Sequence, residues 1–342
     1  MAARSSSKIK TFTIRFPGYS QYDETKHARL IANYFNTEHI ELIASEATVD
    51  LLPLLAKQFD EPIIDSSMVP TYLVSKLIKN HCTVALGGDG GDELFGGYGH
   101  HSRLLNLQEK IGFVPKGIRS NVAKIAENYL PVGFKGRNWL QGLDIDLQNS
   151  LPLIASYFDR SIRNKIILNR HLPLSAESIR QCRIPITKDI LQRATRMDFE
   201  NYLPEDILVK VDRASMINSL EVRAPFLDYR LIEFAYSKVP SRLKATKLDK
   251  KILLKNLAKQ ILPKEFDYSR KQGFSIPLSS WLNGGPWLKY FEEVLLSSND
   301  PIFDKKEVLK LINGQKAGRS NSERLFALVL FELWRKEYEI SF

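Results

Sequence analysis

A chain of 342 residues, 44% hydrophobic and 26% charged, has ordinary globular composition and can bury one large core or two modest ones. It has no apolar run near the ~18 residues of a membrane span, its start (Met1-Ala2-Ala3-Arg4-Ser5-Ser6-Ser7-Lys8) lacks the apolar stretch of a secretory signal, and its two cysteines, Cys82 and Cys182, are too few for a disulfide framework or a cysteine-rich metal site. A reducing cytoplasm away from membranes is expected, while the net charge of +10 keeps nucleic acid in question.

In chain order, residues 9–16 alternate and carry β-branched side chains, which predicts a strand. Asp23 to Phe35 predicts a helix with Ala28, Leu30, Ile31, Tyr34 and Phe35 on its apolar face. Ile40 to Ile43 predicts a second strand, and Val49 to Phe59 a second helix. Val69 to Asn80 predicts a third helix, with Pro70 tolerated in its first turn. Cys82 to Leu86 is an apolar run that reads as a buried strand. Strands alternating with helices imply a parallel sheet with helical cover, and ligands then sit beyond the strands' carboxyl ends. From about residue 100 the pattern turns helical, and 101–195 holds no compact motif. The expected division is a nucleotide-binding α/β core over 1–100 with a mainly helical remainder, 101–342, packed on it as one two-lobed unit.

The run Gly87-Gly88-Asp89-Gly90-Gly91-Asp92-Glu93-Leu94-Phe95-Gly96-Gly97-Tyr98 packs six glycines and three carboxylates into twelve residues. Glycines at a strand's end let backbone amides approach an anionic ligand. Interleaved acids suit a divalent cation bridging phosphate oxygens. Together they point to magnesium-nucleotide chemistry. A bare acidic turn is the blander reading, in which an aspartate caps the following helix; that reading fits Glu93 best, with Tyr98 as packing.

Much of the positive charge lies between Lys238 and Lys271, where eleven Lys or Arg face three acids. Ile252, Leu253, Leu257 and Ile261 recur there at helical spacing, so the segment reads as a helix with a solvated basic face. One lysine turned toward a triphosphate is the sharper expectation. Aromatic residues are not interleaved for base stacking, so nucleic acid is not the expected partner.

The glycine run, together with Asp60-Glu61-Pro62, Asp65-Ser66-Ser67, Pro70-Thr71-Tyr72-Leu73, the stretch Leu203 to Met216, Leu220 to Asp228, Gln272-Gly273-Phe274, Ile276-Pro277-Leu278 and Trp281-Leu282, resembles the synthetase domain of glutamine-hydrolysing asparagine synthetases. The similarity runs from about residue 9 to the C-terminus. It implies a parallel sheet of the adenine-nucleotide α-hydrolase (PP-loop ATPase) type with a large helical C-terminal part. The family's pyrophosphate loop, Ser-Gly-Gly-x-Asp-Ser, occurs nowhere in this chain. The resemblance therefore implies a domain lacking its first strand and truncated before that loop, without the glutaminase half, and so inactive alone.

The implied activity is ATP-dependent amide formation on aspartate through a β-aspartyl-adenylate, with ATP and Mg2+ as cofactors and ammonia as nitrogen donor. An upstream-encoded polypeptide with the glutaminase and pyrophosphate loop is the implied partner. Carried over residue by residue, Ile14 would contact adenine through its backbone, and Gly87 and Gly88 would touch nucleotide. Asp89 would serve adenylation, Asp92 magnesium and pyrophosphate, and Lys251 would be the catalytic cation, with Lys250 its competitor. Asp212 and Arg213 form either an ion pair or part of the aspartate pocket. Glu221 and Arg223 are expected to hold a buried turn. Gly87 stands where the family has serine, Arg15 replaces a usual glycine, and Ser269-Arg270 departs from the family's arginine position. Other readings are a related amide ligase on another carboxylate, a non-catalytic split subunit or remnant, and a tRNA-modifying adenylating enzyme.

Overall fold

A computed structural model describes residues 2–6, 9–15, 23–43, 48–111, 113–146, 157–168, 176–268, 276–298 and 301–341. Gln272-Gly273-Phe274 and Ser269-Arg270 lie outside them.

The fold is mixed α/β with helices dominating. Strand β1 (Lys10–Arg15) pairs in parallel with β2 (Glu38–Ile43), from Lys10 opposite Glu38 to Arg15 opposite Ile43. Helix α1 (Thr25–Tyr34) makes the crossover that a parallel pair needs. Its expected apolar face is only partly turned inward: Ala28, Leu30, Ile31 and Phe35 are half-buried, whereas Tyr34 is exposed and meets Phe35 edge-on.

Helices α2 (Leu51–Gln58) and α3 (Met68–Ile78) follow, with Pro70 in the first turn of α3. Strand β3 (Val84–Leu86) then pairs in parallel with β4 (Glu221–Arg223), not with β1. The expected single sheet is thus two separate parallel pairs among the described residues. Nor is β3 buried: Val84 is 41% and Leu86 63% exposed. The turn expected at Glu221 and Arg223 is strand β4 itself. Both side chains are exposed, and Arg223 donates to Glu221 at 2.7 Å.

The largest core cluster joins both ends of the chain. Leu52, Leu55 and Phe59 from the α2 region and Met68 and Val69 from α3 pack with Phe291, Val308, Ile312, Leu325, Phe326 and Val329. The last six come from α11 (Gly285–Leu296), α12 (Lys305–Lys316) and α13 (Ser322–Glu337). Each side chain of this size buried contributes roughly 1.5–3 kcal/mol. Helix α12 starts cleanly because Asp304 accepts from the backbone N–H groups of Lys306 and Glu307.

Between these ends run α4 (Gly91–Phe95), α5 (Gly99–Ile111), α6 (Lys116–Tyr129) and α7 (Ile190–Met197). A π-helical turn (Asp198–Ile207), α8 (Leu208–Met216), α9 (Tyr229–Ser237) and α10 (Ile252–Ile261) follow, with shorter helical segments among them. The π-turn contains Pro204, whose ring nitrogen cannot donate to the ladder, and such turns recur at functional sites. Among the described residues no helix is long and apolar enough to cross a membrane.

Candidate active site

The glycine loop begins where β3 ends. The Gly87 N–H donates to the Arg223 carbonyl at 2.8 Å, the last rung of the β3–β4 pair. Gly90 has φ +88°, and a Cβ there would meet Leu227 Cδ2 at 2.4 Å, so Leu227 and Phe226 press directly on the loop. Above Gly88 a Cβ would touch nothing within 4 Å, leaving room for a ligand to approach the backbone. At Gly87 a Cβ would stand 2.8 Å from Asp89 Oδ2. Absence of the family's serine lets the Asp89 carboxylate fold back over the loop.

The decisive contact joins distant parts of the sequence. Lys251 Nζ lies 3.1 Å from Asp92 Oδ2, with both side chains about one-third exposed. Gly97 lies between them: a Cβ there would fall 1.8 Å from Asp92 Oδ1 and 2.4 Å from Lys251 Cε. Lys251 precedes α10 and holds the left-handed conformation, φ 53° and ψ 37°, which L-residues adopt at a cost of roughly 1–2 kcal/mol. Lys250, the competing candidate, bridges Ala245 through its backbone.

A second charged group lies deeper. Lys210, 7% exposed, places Nζ 2.5 Å from Asp65 Oδ2 and 3.9 Å from Asp206 Oδ1. Burial works against the Asp65 charge, but Lys210 and the Ser67 N–H outweigh it and hold the carboxyl below its ordinary range. Burial, then the neighbouring Asp65 charge, pushes Asp206 up to about 7. Burial also raises Asp89, with Lys210 opposing and Asp92 adding to the rise. Three carboxylates thus share one buried ammonium.

A cleft of about 210 Å³ opens beside this group, lined by Asp89, Asp212, Ser215 and Glu221 with apolar Val211 and Met216. Its acids suit a cation or a magnesium-bound anion. Arg213 donates to both Asp60 oxygens at 3.2 Å and to Asp212 at 2.7 Å, so the two residues are ion-paired, and Asp212 also lines the cleft. Ile14 pairs with Leu42 and packs against the main core, without lining the cleft. Glu93 is not a cap: its carboxyl is buried, accepts from the Tyr98 hydroxyl and is raised by that burial. Tyr98 in turn meets Tyr202 edge-on at 5.8 Å.

Lys210, Asp206 and the Glu93–Tyr98 pair escaped the sequence reading, although all lie within its motifs. Lys210 and Asp206 are four residues apart on the π-turn and α8, a spacing that puts opposite charges on one face. That was the available signal.

The asparagine synthase family model matches residues 1–336. The chain belongs to the asparagine synthase family. This is a family of carbon–nitrogen ligases, and the chain is similar to two full-length relatives. Asparagine synthetase [glutamine-hydrolyzing] 1 of Bacillus subtilis (strain 168) is 29% identical over 333 residues, 95% of this chain and 52% of the relative. A putative asparagine synthetase [glutamine-hydrolyzing] of Mycobacterium bovis is 29% identical over 353 residues, 98% and 51%. More distantly, Amidase chry2 of Gibberella zeae is 23% identical over 321 residues, 86% and 47%. The chain spans about half the length of the curated relatives it matches.

Proposed function

We propose that this chain carries the synthetase chemistry of asparagine formation, in which ATP activates the side-chain carboxylate of aspartate as a β-aspartyl-adenylate and ammonia then displaces AMP. The Asp92–Lys251 contact beside the glycine loop carries this reading. Such a pair keeps an ammonium aimed where phosphate charge must be neutralised.

The residues divide the work as follows. The open backbone at Gly88, with Gly87 beside it, receives nucleotide, with Ile14 reserved for the adenine. Lys251 holds negative charge on the phosphates, and Asp92 and Asp89 supply hard oxygen donors for Mg2+. When bound, Mg2+ neutralises the charge that develops on the leaving pyrophosphate. Asp89, whose pKa burial raises, attends the adenylation step. Asp212 at the cleft's edge, with Arg213 bracing it, contributes to the amino-acid pocket. In the overall reaction the aspartate carboxylate oxygen attacks the α-phosphorus and pyrophosphate leaves. Ammonia then attacks the acyl carbon, loses a proton, and AMP departs.

No Ser-Gly-Gly-x-Asp-Ser loop occurs in the 342 residues, and productive phosphate binding calls for that loop from whatever source. The test combines the purified chain with aspartate, Mg-ATP and ammonium, with and without a separately expressed relative's segment carrying that loop. Asparagine and pyrophosphate should form in equal amounts with the segment and barely at all without it. If the complemented mixture makes asparagine equally well with Lys251→Met, the assignment fails.

A further inference from the structure

Away from the cleft, three ligand-type atoms converge where the start of α5 meets the first residue of the π-turn. Asp198 Oδ2 accepts from His100 Nε2 at 2.9 Å and from His101 Nε2 at 2.7 Å. An ionised carboxylate only accepts, so both Nε2 atoms carry the proton in this form. His101 is fully buried and Asp198 nearly so, while His100 is about one-third exposed. Among the described residues this is the one group of three His, Cys, Asp or Glu whose donor atoms all lie within 4.8 Å of one another.

Satisfying a buried carboxylate explains one of these histidines but not the whole arrangement. Consecutive helical side chains diverge by roughly 100°, so His100 and His101 converge on one oxygen only because both rings swing toward it. The rings stand 4.5 Å apart at 65°. The surroundings are rich in acid: Asp92 and Asp198 both act on buried Glu93 and raise it. His101 Nδ1 is buried with no hydrogen-bond partner.

We propose that His100, His101 and Asp198 form a binding site for a tetrahedral divalent transition-metal ion, with zinc the best match and water entering from the exposed His100 side. Zinc–ligand bonds of ~2.0–2.1 Å place tetrahedral donors about 3.3 Å apart. The two nitrogen–oxygen separations need to open by about half an ångström, within the reach of side-chain rotation. Binding moves each imidazole proton from Nε2 to Nδ1, with no net release. The ion would pin α5 to the π-turn carrying Tyr202 and Asp206. The site is distinct from the magnesium role assigned to Asp89 and Asp92, and its donors, two nitrogens and one oxygen, select against magnesium.

The test uses the full chain stripped with chelator and titrated with cobalt(II) in excess magnesium. One equivalent should produce the intense visible absorption of tetrahedral cobalt, and one equivalent of zinc should abolish it. His100→Gln, a change at a partly exposed position, should weaken zinc affinity at least tenfold, whereas His39→Gln should leave it unchanged. Asp198→Asn should weaken it as well if the variant folds. Absence of saturable binding, octahedral cobalt only, or His100→Gln binding as tightly as the parent would each overturn the proposal.

Discussion

Asp92 and Lys251 meet at 3.1 Å across the bare backbone of Gly97. The aspartate is placed by the short helix after the glycine loop, and the lysine by the residue before α10. Neither element could bring the two together if residue 97 carried a side chain. The first expectation follows directly. Gly97→Ala should separate the pair and cost about 1–3 kcal/mol of stability through overpacking. Complemented pyrophosphate release should fall at least a hundredfold while the far-ultraviolet circular dichroism stays native. Retention of most of the activity would mean that the contact is incidental.

Lys251 pays a backbone cost for its position. Asparagine tolerates the left-handed region better than lysine or alanine. Lys251→Asn should therefore be more stable than Lys251→Ala by roughly 0.5–1 kcal/mol, read as the difference in urea midpoints. Both should be inactive in the complemented assay. Equal midpoints would show that this residue carries no strain.

Gly87→Ser restores the side chain usual in the family. Its Cβ would press on Asp89 Oδ2 from 2.8 Å and on Val222 Cγ1 from 3.3 Å, driving the carboxylate out of its fold-back position. Asp89 is raised chiefly by burial, so its pKa should fall in the variant. Carboxyl-carbon NMR titration of the two proteins reads this directly; an unchanged or higher value would refute it.

Asp206 sets a pH dependence. Folding raises its pKa from 3.8 to about 7, so between these values the native state holds a proton that the unfolded chain has released. Stability from this group is therefore full below about pH 4 and declines as pH rises toward 7. Asp65, Lys210, Tyr157, Tyr202 and Arg180 act on it or share its surroundings, and Lys210 holds Asp65 below its ordinary value. Asp206→Asn imitates the protonated form and can still donate to Asp65. The variant should be more stable than the parent at pH 8 by on the order of 2 kcal/mol, and no more stable at pH 4. Denaturant melts at both pH values decide the matter.

Much of the first hundred residues could be read before the fold was known. Alternation marked β1 and most of β2, and helical spacing placed α1, α2 and α3 to within a few residues. The family resemblance pointed to Lys251, and its ammonium lies 3.1 Å from Asp92 Oδ2. What stayed hidden was non-local. Strand β4 has three residues, too few for alternation to register, and it exists because β3 supplies its partner far away in the chain. The split of the strands into two pairs is likewise a property of tertiary packing. The Lys210–Asp65–Asp206 group depends on a π-turn that places the lysine and one acid over the other, and residue propensity does not report π-turns.

The final rung of the β3–β4 ladder is also the first amide of the glycine loop. Fraying of so short a ribbon and exposure of the loop are thus one event, visible as deuterium uptake at Gly87. Slowed exchange at that single amide on adding Mg-ATP would report occupancy without any turnover, even in a chain that makes no product.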